Sequence, residues 1–473
     1  MNHSVIMKIT KIFFTFLLFG VAFHFSFAQN FTLTIQSALS CDTVSLKKFD
    51  KQKDFKNLVC VPYKKVTVLQ QNEMLEPGLY KVMRDTSEWF SFLISDLKKQ
   101  KLKVTISSTG DVYFENSNEN NHWISYHQKM GEYDQQIRKI NKTFADAQKS
   151  MPEYMLQTLA TQLMEQMDTV IAHQEQYKVQ VLNENKGTLL ASIVMFSKEI
   201  PAPPASYYSN RELIKKYYAE HAFDHYPFDD ERMVKIPMTV ERLKEFSQCL
   251  YFAPQEDAIK IAEEVLNKAR VSSVTYHAFF DQMEKVLGTL TSPYWTEYIY
   301  IPMLRNALSY DKIEQKRVGY YKNQLTLHTK NLPGTKIPNF PILWSDSTKS
   351  TLYDIESDYI LLYFQNPDCP TCSEVREKLA VNEELNKAIE SGKLKVVTIY
   401  FERDSTIWYR YLKTKANPKY LHGWDYEGKI DSENLFDLRI IPYMFLLDKD
   451  KMIIKKDILY NEISGYLKYY KIY

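Results

Sequence analysis

The stretch Tyr359-Ile360-Leu361-Leu362-Tyr363-Phe364-Gln365-Asn366-Pro367-Asp368-Cys369-Pro370-Thr371-Cys372 decides how this chain is read. Its first six residues form an unbroken apolar run, the pattern of a strand buried on both faces. A short turn follows, and Val375, Leu379 and Leu385 then fall at helical spacing on one face. Cys369 therefore ends a strand and opens a helix. The free backbone N–H groups and the dipole at a helix start favour an anion, which raises the thiolate fraction of a cysteine placed there. Two intervening residues bring both sulfurs onto one helical turn, where they can bridge. Cys369 would attack a disulfide in a partner protein, and Cys372 would then attack Cys369 and release the partner. Pro370 and Thr371 help to set the redox potential.

Other uses of Cys-x-x-Cys fit less well. A zinc site needs further ligands, and His422 is the only histidine after His328. Haem attachment needs a histidine directly after the second cysteine, where Ser373 stands. No metal and no cofactor is expected. A plain structural bridge is the remaining alternative, and the strand–Cys-x-x-Cys–helix context speaks against it.

Downstream, residues 394–401 and 443–447 read as further buried strands. Asp448-Lys449-Asp450-Lys451 turns the chain into a strand over 452–454, and residues 461–473 close with a helix. Upstream, the Pro-rich connector 331–341 marks a domain boundary. Residues 122–327 carry a helical pattern. Ala258, Ile259, Ile261, Ala262, Val265, Leu266 and Ala269 share one face there, and Ile200-Pro201-Ala202-Pro203-Pro204 forms a loop. Cys249 in this region reads as a small buried hydrophobe. Residues 29–118 are β-rich. Phe31, Leu33 and Ile35 alternate with polar neighbours, and short strands are expected at 43–46, 78–83, 89–94, 102–107 and 112–115, forming a sandwich or an antiparallel sheet. Cys41 and Cys60 in this part are the candidates for a structural disulfide, whose geometry sequence cannot fix.

The first residues read as an export signal over 1–28. Lys8 and Lys11 precede an apolar run over 12–27, and Ser26-Phe27-Ala28 offers small residues for cleavage before Gln29. The run is shorter than the ~20 residues of a membrane span, so no transmembrane span is expected after cleavage. The chain holds 60 Lys plus Arg against 58 Asp plus Glu. Lys8 and Lys11 leave with the signal, so the rest is near neutral and gives no basic surface for nucleic acid. With 45% apolar and 25% charged residues the chain is ordinary globular protein. Five cysteines are too few for a disulfide scaffold.

Three features together resemble the thioredoxin superfamily. They are Gly334-Thr335-Lys336-Ile337-Pro338-Asn339-Phe340 (the family's Gly-x-x-x-Pro-x-Phe), the Cys369–Cys372 motif, and Pro442 directly before an apolar strand. Within that superfamily the stretch is most similar to the exported TlpA and ResA type of thiol-disulfide oxidoreductase, over about 140 residues. The separation of Cys369 from Pro442 suits the insertion that this type carries after its first helix. The resemblance implies that Pro442 is cis and faces the dithiol, and that Ile441 offers its backbone to an extended partner segment by strand addition. Residues 221–308, with Phe228-Asp229-Asp230-Glu231-Arg232, resemble an uncharacterised helical domain that precedes such a domain in bacteroidete envelope proteins. The β-rich start is similar to another uncharacterised module of those proteins.

The fold expected is therefore multidomain α+β: a β-rich domain over 29–118, an all-α domain over 119–330 and a thioredoxin-like α/β domain over 331–473. The function expected is an exported thiol-disulfide oxidoreductase of the periplasm or cell envelope. It would act as reductase or isomerase on protein disulfides and be kept reduced by a membrane or periplasmic electron donor. Two alternatives stand beside it. A peroxiredoxin-like antioxidant enzyme would set its cysteine in Pro-x-x-x-Thr-x-x-Cys, which does not surround Cys369. A binding or scaffold protein would hold its partner with residues 29–330, the redox site being secondary. The family pattern is broken in two places. Asn366-Pro367-Asp368 replaces an aromatic lead-in, and Asp368 should oppose thiolate formation at Cys369. The buried acid six residues before the first cysteine is Tyr363 here, so the proton of Cys372 needs Glu374, Asp368 or water.

Overall fold

The computed structural model describes residues 31–50 and 54–473. The segment 1–28 read as an export signal lies outside the described residues. The chain divides into two compact units, Met1–Met283 and Glu284–Tyr473.

The first unit opens with eight strands: β1 (Phe31–Ser37), β2 (Thr43–Asp50), β3 (Asp54–Pro62), β4 (Val66–Gln71), β5 (Gly78–Arg84), β6 (Ser87–Ile94), β7 (Lys101–Ile106) and β8 (Val112–Phe114). They form two four-stranded sheets, ordered β4-β1-β7-β8 and β3-β2-β5-β6. The alternation read in β1 is real: Phe31, Leu33 and Ile35 are buried against Leu46, Val82 and Phe92 of the other sheet. One core thus serves both sheets, the arrangement of a sandwich. Pairing is antiparallel except where β1 runs parallel to β7. Strands β3 and β4 were not expected. Each ends a sheet, and in β4 the exposed Val66 and Val68 alternate with the buried Thr67 and Leu69, so apolar residues on both faces blur the period.

The register of β2 and β3 corrects the expected disulfide. Cys60 stands opposite Ser45, four positions past Cys41. At ~3.3 Å per strand residue that is ~13 Å, about twice the Cα separation a bridge tolerates. Both thiols are free, Cys41 packing on the edge of the sandwich core and Cys60 exposed.

Helices α1 (Asn118–Ala147), α2 (Glu153–Glu184), α3 (Leu189–Phe196), α4 (Arg211–His221), α5 (Pro237–Phe252), α6 (Gln255–Ala269) and α7 (Ser273–Leu287) follow. Ser117 caps α1, its side chain accepting from the Asn120 N–H. The Asn120 amide in turn exchanges hydrogen bonds with the backbone of Leu93, at 2.7 and 3.0 Å, which anchors the helix start to β6. The apolar face read in α6 is the buried one, with Ala258, Ile261, Ala262, Val265, Leu266 and Ala269 inside and Ile259 half-buried at its margin. In the Phe228–Arg232 stretch Asp230 has a structural task. Its carboxylate accepts from the Ser192 hydroxyl and the Arg232 guanidinium and caps the turn Glu231–Lys235.

The second unit holds α8 (Glu297–Leu308), α9 (Gln315–His328), β9 (Pro341–Trp344), β10 (Lys349–Thr351), β11 (Tyr359–Phe364), α10 (Pro370–Ala380), α11 (Glu383–Glu390), β12 (Leu394–Tyr400), α12 (Ser405–Thr414), β13 (Leu421–Trp424), α13 (Lys429–Ser432), β14 (Tyr443–Asp448), β15 (Ile453–Lys456) and α14 (Ile463–Tyr469). One seven-stranded sheet runs β10-β9-β13-β12-β11-β14-β15. β11 lies inside it, parallel to β12 and antiparallel to β14. Its side chains split between two cores. Ile360, Leu362 and Phe364 join Ile342, Val397 and Phe445 on one face. Leu361 and Tyr363 join Val375, Leu379 and Met444 on the other. That double burial is why the run is apolar throughout.

Gly423 of β13 lies where the sheet is tightest: a Cβ there would collide with the Ile342 side chain and press on Ile399 and Trp344. A buried ion pair ties α8 to β15. Lys456 Nζ lies 2.7 Å from Glu297 and also donates to the carbonyls of His328 and Lys330. Beside it, burial and the neighbouring Glu297 push the Asp457 carboxyl up to about 6.

Candidate active site

Cys369 is the N-cap of α10, with extended backbone, and Pro370 takes the first helical position. Proline suits that place because its missing N–H would have no helical partner. The Cys369 sulfur accepts from the backbone N–H of Cys372 at 3.4 Å. This is the anion-favouring geometry expected of the outer cysteine, an orphan helix N–H aimed at sulfur. Cys369 is partly exposed and Cys372 is fully buried behind it. Burial is the main cause that pushes the Cys372 thiol up to about 12. The outer sulfur is thus open to a partner, while the inner one is kept as a thiol.

Pro370, Thr371 and Asp368 are exposed around the dithiol. The Asp368 carboxylate pairs with Arg410, and its backbone N–H donates to the Asn366 side chain at 2.8 Å. The lead-in is therefore an Asx turn. The surface cation partly offsets the negative charge beside Cys369, a contribution of ~0–1 kcal/mol for an exposed pair. Glu374 is also engaged elsewhere, 2.6 Å from Lys378 one helical turn on.

Tyr363 occupies the place of the missing acid. Its buried hydroxyl donates to the Cys372 carbonyl at 3.0 Å, and burial holds the phenol protonated. Behind α10 lies a polar chain that sequence did not reveal. Arg376 is buried and donates to the Gln365 amide oxygen and the Ser373 hydroxyl, both at 2.7 Å. The Gln365 amide N–H donates to the Tyr411 hydroxyl at 2.9 Å, and Tyr411 meets His422 Nδ1 at 3.1 Å. His422 Nε2 lies 2.8 Å from the Asn417 carbonyl, so it carries the ring proton and Nδ1 accepts from Tyr411 and Thr398. Burial lowers the His422 pKa, keeping the ring neutral. The available signal was that Arg376 stands four residues after Cys372, on the same helix face.

The peptide bond between Ile441 and Pro442 is cis. Tyr443 pairs with Phe364, so Ile441 and Pro442 stand at the end of the sheet from which the Gln365–Cys369 loop leaves. Both residues are partly exposed. Sheet pairing thus brings Ile441, Pro442, Cys369 and Cys372 to one end of the unit. Cys41 and Cys60 belong to the other unit. Among the described residues no three His, Cys, Asp or Glu side chains gather as a metal site, and no helix is long and apolar enough to cross a membrane.

Comparison with known proteins agrees with this geometry. Residues 357–453 match a family described as thioredoxin-like, and residues 171–331 match a domain of unknown function, DUF5106. A thioredoxin-like protein from Bacteroides caccae ATCC 43185 is 27% identical, over 58% of this chain and 98% of its own, with a TM-score of 0.53. The C-terminal domain of an uncharacterized protein from Bacteroides fragilis NCTC 9343 is 35% identical over 30% of this chain and 99% of its own, with a TM-score of 0.29. A domain of a "possible thiol-disulfide isomerase" from Cytophaga hutchinsonii ATCC 33406 is 24% identical over 30% and 95%, with a TM-score of 0.27. No curated protein matches. The C-terminal part of this chain is a thioredoxin-like domain. It follows a helical region over 118–328 and a β-rich start.

Proposed function

We propose that this chain is an exported thiol-disulfide oxidoreductase that reduces or rearranges disulfides of proteins in the periplasm or cell envelope. The observation that carries the reading is the asymmetry of the dithiol. Cys369 is reachable, with a helix N–H on its sulfur, and Cys372 is buried one turn behind. The Cys369 thiolate attacks one sulfur of the partner disulfide. A mixed disulfide forms, and the other partner sulfur leaves as a thiolate and takes up a proton. Cys372 then loses its proton and attacks Cys369. The partner departs with both sulfurs reduced, and Cys369 and Cys372 become the disulfide. A membrane or periplasmic dithiol donor returns the two electrons. The partly exposed Ile441 beside Pro442 suits backbone pairing with an extended partner segment. Export rests on the apolar run over 12–27 and the cleavage pattern at Ala28.

The test is turbidity from insulin reduction with dithiothreitol as donor. Catalysis above the donor alone is expected from the parent and not from Cys369→Ser. Equal rates for the two would exclude the enzyme reading and leave the binding alternative for residues 29–330.

A further inference from the structure

The Arg376 guanidinium is buried, yet its hydrogen-bond partners are an amide oxygen and a hydroxyl, and it lies 5.4 Å from the centre of the Tyr411 ring. Among the described residues no carboxylate pairs with it. A buried cation with only neutral partners is costly unless an anion lies near. Arg376 is nevertheless held firmly, because Gln365 is fixed by Tyr411 and Tyr411 by His422. The titratable and charged groups that face Cys372 are Cys369 and Arg376 of its own helix region and Tyr363 of β11. Tyr363 is spent on a backbone carbonyl, and Asp368 and Glu374 are paired with surface cations. Cys372 stands four residues before Arg376 on the same helix face, so the anion formed there during turnover lies beside the guanidinium.

We propose that Arg376 is the positioning residue of the resolving step, a fixed cation that stabilises the Cys372 thiolate where a carboxylate would otherwise take its proton. The proton leaves to water, the new thiolate attacks Cys369 Sγ, and the Cys369–partner bond breaks as the Cys369–Cys372 bond forms. The inference rests on the oxidoreductase reading. It predicts a division of labour: Arg376 acts on resolution and leaves the first attack by Cys369 alone.

The two steps separate with Ellman's reagent on the full chain carrying Cys41→Ser, Cys60→Ser and Cys249→Ser. Attack by Cys369 releases a first equivalent of thionitrobenzoate, and resolution by Cys372 releases the second. In Arg376→Met the second release should slow ~3–10-fold at pH 7, and the first should change less than ~2-fold. Each unit of pKa costs a factor of ten in thiolate but returns part of it as nucleophilicity. The pH profile of the second release should move up by about one unit in Arg376→Met and in Arg376→Gln, which keeps a hydrogen-bonding side chain. Arg376→Lys should restore both rate and profile. An unmoved profile in both neutral variants, or equal slowing of both releases, overturns the proposal and leaves Arg376 a packing residue. A parent chain that releases no second equivalent overturns the oxidoreductase reading itself, and the inference with it.

Discussion

Cys369 and Cys372 stand on one helical turn, with the first sulfur accepting the N–H of the second. Cys41 precedes β2 and Cys60 lies within β3, and the register of that strand pair sets Cys60 opposite Ser45. Both pairs look bridgeable in a sequence. On a helix start, spacing alone fixes where two side chains stand, because the local backbone geometry is always the same. Across a hairpin, the meeting of two side chains depends on register, and register is set by turn and core.

The comparison can be broken most directly at the outer sulfur. Cys369→Ser is expected to bring insulin reduction down to the uncatalysed rate, while Cys60→Ser leaves it at the parent level. A smaller effect tests register inside the C-terminal sheet. Gly423→Ala should lower stability by about 1–3 kcal/mol in urea unfolding, because the added methyl meets Ile342 in a packed layer. Unchanged stability would mean that β13 can shift away from β9.

Asp457 probes electrostatics that no spacing rule reveals. Its folded carboxyl is raised to about 6 from 3.8, so the folded state holds the proton more tightly than the unfolded one. Its contribution is complete below about pH 4 and is lost as pH rises through 6. Asp457→Asn should therefore gain about 1–2 kcal/mol over the parent at pH 7.5 and nothing at pH 4, read from paired melts. Asparagine also suits the φ of 53° at this position. The smallest effect belongs to the other cysteine pair. Cys41→Ser with Cys60→Ser should stay within about 0.5 kcal/mol of the parent and run identically on non-reducing gels.

Much of the C-terminal fold was legible because its strands are buried on both faces. Residues 359–364 read as β11 to the residue, and 443–447 fell within one residue of β14. The hairpin β9–β10 and strand β13 were not legible. β13 is only Leu421-His422-Gly423-Trp424, too short to show a period. At the site, the dithiol and Pro442 announced themselves by spacing and order. Gln365, Arg376, Tyr411 and His422 did not, because their chain of hydrogen bonds joins the loop after β11 to α10, α12 and β13. Charged and aromatic residues in such segments read as solvated or packing side chains. Only the β12–β13 pairing brings His422 beside Thr398.

The central claim is that Cys369 attacks a partner disulfide and Cys372 releases it. The direct measurement is intact mass after Cys372→Ala, in the full chain, meets an oxidised model peptide. The account predicts one stable adduct per chain, mapped to Cys369 and released by dithiothreitol, with none in Cys369→Ser. No adduct on Cys369, or the same adduct yield in Cys369→Ser, would contradict it.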